Sequence, residues 1–295
     1  MAGDFWLPDF VKCPHCGASL EKESGVLFCR GQRRHTYDIA KEGYVNLLPP
    51  GRARNARTGD EAEMMRARVK FLSGGGYDRY SREAAFFAAE YLQGKAERLV
   101  LIDAGCGEGR HTVNMASALY DKTGIPVVCV GFDASKYGAA AAAKRYVRRE
   151  SVLGVTPFFA AAGIFDLPVS DCSADLFCSL FAPLPGEEAA RVLKPGGVLL
   201  ICAAGARHLF ELREILYDNP ILSGGGAAVP AGFKKAGEFC SEYRLELVSH
   251  EEIMSLFTMT PFFYNAPASG RERLALKESL TITVQVKCTA AVKIG

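Results

Sequence analysis

Two sets of residues in this chain have types and spacings that could do chemistry. The first is DAGCGEG, Asp103 to Gly109, which directly follows the apolar run RLVLI. Its glycines at 105, 107 and 109 let the backbone pass close to a ligand and turn sharply into a helix. The spacing is G-x-G-x-G, whereas a loop that cradles a pyrophosphate uses G-x-G-x-x-G. It therefore predicts a nucleoside ligand without a phosphate, and S-adenosylmethionine is one. Asp103, at the strand end, can take up the cationic amino group of its methionine moiety. Asp133 in GFD can accept both ribose hydroxyls, a charge-assisted bidentate geometry. Asp166 in AAGIFDLP can accept the adenine amino group.

The second set is CPHCG, with Cys13 and Cys16, then Cys29 in LFCR and His35 beyond it. The pattern C-x2-C-x12-C-x5-H suits a tetrahedral Cys3His zinc site. With four protein ligands and no position left for water, such a site is structural. His15, between its two cysteines, is the alternative nitrogen ligand. The other cysteines, 106, 129, 172, 178, 202, 240 and 288, lie mostly in apolar stretches and read as small buried hydrophobes.

These groups need elements to position them. From Arg98 onward, apolar runs alternate with helical patterns: RLVLID, PVVCVGFD, VTPFFAAA, ADLFCSLF and GVLLICAA, followed by YRLELVSH and SLTITVQVKC. Strands apolar on both faces imply a mostly parallel sheet covered on both sides, here of seven strands with an added hairpin. The fold class is α/β, doubly wound, with ligands beyond the carboxyl ends of the strands. Residues 1–48 form a small unit too short for its own core, which points to a metal staple. Residues 49–95 join the units and contain GDEAEMMRARVKFL, a helix capped by Asp60 and stopped by the glycines at 74–76. Residues 96–295 form the larger unit.

The net charge of +2 excludes nothing, but its distribution is uneven. Arg30, Arg33, Arg34, Lys41, Arg52, Arg54, Arg57 and Arg66 cluster in the first quarter. KRYVRRE, from Lys144, reads either as a solvated face or as a second patch. No apolar run reaches the roughly 18 residues of a membrane helix, and MAGDFWLPDFVKC lacks the pattern of a signal peptide. A cytoplasmic protein with reduced thiols is expected.

Taken together, CPHCG, CRGQRRHTYDIAKEGYVNLLPP, GDEAEMMRARVKFL, DAGCGEG, GFDASKYGAAAAAKRY, FAPL, VLKPGG, RHLFELREILY and MTPFFY resemble the bacterial 23S ribosomal RNA guanine-N1 methyltransferases. The resemblance runs through nearly the whole chain in family order. It implies a class I (Rossmann-like) methyltransferase domain, an N-terminal zinc module that recognises an RNA hairpin, and frequently a homodimer. Residue by residue it places zinc on Cys13, Cys16, Cys29 and His35, although the interval before His35 is longer than the family's usual form. It places the cofactor on Asp103, Gly105, Gly107 and Asp133.

Guanine N1 carries a proton, so such an enzyme must extrude the base, hold N1 in line with the methyl and move that proton. Phe181 and Pro183 in FAPL are the candidates for stacking on the base. Asp60, Glu61, Glu63, His208 and Tyr264 are candidates for the proton acceptor. The competing reading is a methyltransferase of a small molecule or protein with a purely structural zinc knuckle; a non-catalytic RNA-binding protein is a third.

Overall fold

The computed structural model describes residues 5–49, 62–92, 96–222, 224–225 and 228–295. The chain begins with a three-stranded antiparallel sheet, β1 (Leu20–Glu23), β2 (Val26–Cys29) and β3 (Thr36–Asp38). Ser24 and Gly25 join β1 to β2 with φ of 48° and 83°, the doubly left-handed turn whose twist suits a two-residue hairpin. A short β4 (Val45–Asn46) follows.

The helices α1 (Ala62–Ser73) and α2 (Asp78–Ala89) lead into the alternating region. There β5 (Leu99–Ala104), α3 (Arg110–Thr123), β6 (Val127–Asp133), α4 (Lys136–Tyr146) and β7 (Val155–Ala161) run in order. They are followed by β8 (Ala174–Leu180), α5 (Gly186–Val192), β9 (Leu193–Ala204) and α6 (Phe210–Leu216). The tail contributes β10 (Phe233–Leu247), α7 (His250–Thr258), α8 (Phe262–Asn265), α9 (Ala268–Ala275) and β11 (Leu280–Lys293).

The large sheet has the order β10-β11-β9-β8-β5-β6-β7-β4, with β11 antiparallel to both of its neighbours, β10 and β9, and the other pairs parallel. The seven strands read from the sequence are present, and β4 adds an eighth at the edge, Val45 opposite Ala160. Strand order reverses between β5 and β8, so a cleft opens at their carboxyl ends.

Every residue of β5 is buried, because the sheet is covered on both faces. On one face Leu101, Cys129 and Leu176 pack against Tyr80, Val113, Ala142 and Leu212 from the helices. The other face differs from expectation. The link between β7 and β8 contains no helix, and α5 supplies only Ala189 and Val192 to the core there. The rest of that face, including Val128, Val130 and Phe158, is covered by the N-terminal unit through Phe5, Phe10, Val11, Leu27 and Tyr37. Val11 pairs with Val169, Lys12 N donates to Pro168 O at 2.7 Å, and the Phe5 ring meets Phe158 edge-on at 5.8 Å. The unit too small for its own core thus shares the core of the sheet.

Two of the cysteines read as buried, Cys172 and Cys240, are exposed; Cys240 lies on β10, which has a neighbour on one side only. Strand β10 begins ten residues earlier than its apolar end suggests, since an edge strand keeps one polar face in water. No helix among the described residues is long and apolar enough to cross a membrane.

Candidate functional site

The glycine loop leaves β5 at the switch point and folds back on the end of β6. Gly105 N and Cys106 N both donate to Phe132 O, at 2.8 and 3.0 Å. Gly105, Gly107 and Gly109 have φ of 90°, 55° and 81°, which is why side chains are excluded there. Gly109 serves packing: it caps α3, and a Cβ on it would stand 2.8 Å from Ala142 Cβ and 2.9 Å from the Phe159 ring. A Cβ on Gly105 would meet Ala182 at 2.7 Å.

Asp133 ties this loop to β6. Its Oδ2 accepts from Gly107 N at 2.8 Å and its Oδ1 from Ser135 N at 2.7 Å. A carboxylate has about four lone-pair sites, so both oxygens can still accept ribose hydroxyls. Asp103 is buried; its Oδ2 accepts from Thr112 Oγ1 at 2.5 Å, and its Oδ1 has no partner. Burial, with a smaller push from the Asp133 carboxylate, raises Asp103 to about 7. A buried acceptor with nothing to accept from is costly, and a cationic amino group would satisfy it. The loop and its two acids therefore fit S-adenosylmethionine.

A cavity of about 480 Å³ opens beside the loop, a size suited to a cofactor and part of an acceptor. Gly105, Cys106, Gly107 and Glu108 form its floor. Met64, Arg68 and Leu72 of α1 line it from one side, and Met259, Thr260 and Phe262 from another. Opposite stands an aromatic wall of Tyr77, His111, Phe181 and His208. Phe181 meets Tyr80 edge-on at 5.6 Å and His208 at 5.4 Å, and Tyr80 meets His111 at 4.9 Å. Phe181 is 41% exposed and held at φ 54°, a left-handed conformation costly for a bulky side chain.

Of the expected cofactor residues Gly105 and Gly107 line the cavity and Asp103, Gly109 and Asp133 do not, and most of the remaining expected residues stand elsewhere. Asp166 and Pro183 are exposed on their loops and do not line the cavity. Among the acceptors of a proton, Glu63 is exposed on α1 and Tyr264 is 52% exposed on α8, both off the cavity. Asp60 and Glu61 lie outside the described residues, as do Arg52, Arg54 and Arg57. His208 does line the cavity, but its Nδ1 accepts from Gln285 N at 3.2 Å, so its other nitrogen carries the proton and faces Tyr77 Oη at 3.4 Å. Burial, and after it the Arg213 charge, pushes His208 down to about 4. Such an imidazole has no lone pair to offer a substrate.

Arg68, Tyr77, Tyr80 and His111 were missed by reading motifs. A signal existed for Arg68: Met64, Arg68 and Leu72 fall at i, i+4 and i+8, one helix face with a lone cation among apolar residues. No local spacing marks the aromatic wall, which converges from four separate segments.

The N-terminal set converges too. Sγ of Cys13, Cys16 and Cys29 lie 3.5, 3.7 and 3.4 Å from His35 Nδ1, and Cys16 Sγ lies 3.8 Å from Cys29 Sγ. All four ligand atoms are within 4.8 Å of one another. A tetrahedral zinc, with sulfur at about 2.3 Å and nitrogen at about 2.0 Å, separates its ligands by about 3.5–3.8 Å. A Cβ on Gly31 would stand 2.9 Å from Cys16 Sγ, so the second knuckle is also shaped around the sulfurs. Tyr37 Oη lies 3.0 Å from Cys13 Sγ. His15 lies against His35, ring centroids 4.8 Å apart and planes tilted by 35°, and contributes no ligand atom to the cluster. The basic residues around the knuckle are exposed, Arg30 and Arg34 resting on the Phe28 ring and pairing with Glu21 and Glu23.

Two family models match the chain: one described as "RlmA, N-terminal", a zinc ribbon, over residues 11–54, and one described as "Methyltransferase domain" over residues 95–234. A protein of Micromonospora griseorubida provisionally named a 23S rRNA (guanine-N(1)-)-methyltransferase is 32% identical over 94% of this chain and 95% of its own. A Bacillus subtilis (strain 168) protein with the same provisional name is 28% identical over 96% of each chain. The 23S rRNA (guanine(748)-N(1))-methyltransferase of Streptomyces fradiae is 32% identical over 70% of this chain and 68% of its own.

Proposed function

This chain belongs to the 23S ribosomal RNA (guanine-N1)-methyltransferase family, and we propose that it methylates N1 of a guanine in a hairpin loop of 23S ribosomal RNA. The observation that carries the reading within the site is the placement of Phe181. A strained, half-open aromatic ring faces the same cavity as the glycine loop, where an extruded base would lie.

S-adenosylmethionine, when bound, supplies an electrophilic methyl on a sulfonium. In our assignment Asp103 Oδ1 receives its amino group, Gly105 and Gly107 admit it against the backbone, and Asp133 accepts its ribose hydroxyls. Asp166 is retained as an adenine contact only from its loop position. Phe181 stacks on the guanine and Tyr77 and His111 close the wall behind it, holding water away from the reacting face. Cys13, Cys16, Cys29 and His35 Nδ1 would hold zinc, which would fix the shape of the first unit.

We assign residues 1–48 to RNA recognition, 49–95 to the joining segment and 96–295 to catalysis. Exposed Arg33 and Lys41, with the linker arginines, would contact phosphates and position the hairpin without reading its sequence. The cytoplasm is the expected compartment for an enzyme of ribosomal RNA. A homodimer rests on the resemblance alone, and light scattering of the purified protein decides it.

The test is direct. Purified protein, S-adenosylmethionine and unmodified 23S ribosomal RNA should yield 1-methylguanosine after digestion of the RNA to nucleosides. Methylation of a different base, or of none while small-molecule acceptors react, would overturn the proposal.

A further inference from the structure

Three thiolates and one neutral imidazole more than balance a divalent zinc, and the negative charge in excess lies on sulfur. We propose that the Tyr37 hydroxyl donates a hydrogen bond to the Cys13 thiolate and so tightens the hold of the knuckle on zinc; the inference rests on the metal assignment above.

The three sulfurs stand in different surroundings. Cys16 is exposed, so water can reach its sulfur. Cys29 is buried, and His35 N donates to its Sγ at 3.3 Å. Cys13 is buried as well, and water cannot serve it. Among the described residues its Sγ has one hydrogen-bonding neighbour outside the ligand set, Tyr37 Oη at 3.0 Å. Between a thiol and a phenol either atom could donate. A metal-bound thiolate has lost its proton, so there the hydroxyl is the donor, in a charge-assisted bond.

The backbone and its neighbours hold the hydroxyl on that sulfur. Tyr37 is the central residue of β3, with Leu27 of β2 opposite and exposed residues on either side, so strand alternation turns its ring inward. The ring belongs to the core that Phe10 and Val11 share with the large sheet. His15 lies parallel to it, ring centroids 6.3 Å apart and planes 14° apart. Among the described residues the hydroxyl has no hydrogen-bonding partner besides Cys13 Sγ. A phenylalanine would fill the same space, whereas a buried hydroxyl without a partner is costly. Thiolate and hydroxyl each satisfy the other, and one side chain joins the metal centre to the shared core.

Tyr37→Phe keeps the ring and removes the donor. Competition against a chromophoric chelator should show zinc held about 10- to 100-fold more weakly, the scale for a partner of a metal ligand. With cobalt(II) in place of zinc, the sulfur-to-metal charge-transfer band should move to longer wavelength, because a thiolate without its hydrogen bond gives up an electron more readily. In the unaltered protein loaded with cadmium, nuclear magnetic resonance should find the Tyr37 hydroxyl proton slow to exchange and coupled to the metal nucleus through sulfur. Unchanged zinc affinity in the variant, or weaker zinc with an unmoved cobalt band, would mean that the ring only fills the core and would overturn the inference. A freely exchanging, uncoupled hydroxyl proton would overturn it too. If the unaltered protein takes up no zinc, the metal assignment itself fails and carries this inference with it.

Discussion

Asp133 Oδ2 accepts the backbone N–H of Gly107 at 2.8 Å, so the acid expected to grip the ribose also fixes the loop beneath the cofactor. The two duties can be separated. Asp133→Asn keeps an acceptor for the loop but loses the charge, whereas Asp133→Ala leaves the N–H groups of Gly107 and Ser135 without their partner. Both variants should lose cofactor affinity; the alanine variant should lose about 1–3 kcal/mol of stability, and the asparagine variant, with one acceptor oxygen for the two N–H groups, a smaller share. Urea unfolding beside calorimetry checks this; equal stability of the two variants would deny the tie a structural role.

Asp103 makes cofactor binding depend on pH. Its folded-state value is raised to about 7 by burial and by Asp133, above its ordinary value of 3.8. For a group raised in this way, its contribution to stability is full below the unfolded value and is lost as pH climbs to about 7. A cationic amino group needs the ionised carboxylate, so affinity for S-adenosylhomocysteine should rise between about pH 6 and about pH 8, with a proton released on binding. Calorimetry in buffers of different ionisation enthalpy measures that proton. Glu108, also raised to about 7 by burial, is the group to separate: Glu108→Gln should keep the slope and Asp103→Asn should abolish it. A flat profile in the unaltered protein would remove Asp103 from the ammonium.

The zinc knuckle should matter beyond its own unit. Val11 pairs with Val169, β4 extends the large sheet, and Phe10 and Tyr37 help to cover the face on which α5 is the helix that contributes. Chelating the metal should therefore lower the melting temperature of the whole chain in one cooperative transition. Gly31→Ala, which pushes a methyl to 2.9 Å from Cys16 Sγ, should weaken zinc about tenfold or more. Two separate transitions, or full zinc affinity in the glycine variant, would speak against a shared core and a shaped knuckle.

Phe181→Ala should slow methyl transfer to RNA by about 10- to 100-fold, the scale of one base stacked on one ring. Cofactor affinity should stay within about twofold, because Phe181 stands on the wall and not on the loop floor. A variant that loses cofactor binding equally would place Phe181 in the donor site.

The order of elements was legible because each strand is a short run apolar on both faces, and the loop glycines announce the turn into α3. The knuckle was legible from spacing in its three cysteines, with His35 and His15 as alternative nitrogen ligands; the fold gathers His35 with Cys13, Cys16 and Cys29. What covers the second face of the sheet was not, since Phe5, Phe10 and Val11 carry no periodicity that names Phe158 and Val169 as partners. The cavity wall was equally hidden: Tyr77, His111, Phe181 and His208 come from separate segments and meet only in three dimensions. Asp166, a motif position, is exposed on its loop and does not line the cavity, and Asp103 and Asp133 are not among its lining residues either.

The most direct test of the account is primer extension along 23S ribosomal RNA from a strain that lacks this protein. A methyl on guanine N1 blocks base pairing and stops the polymerase. One guanine stop in a hairpin loop should vanish from the deletion strain and return when the gene is restored, but not when it carries Asp103→Asn. An unchanged set of guanine stops would contradict the assignment of ribosomal RNA as the substrate.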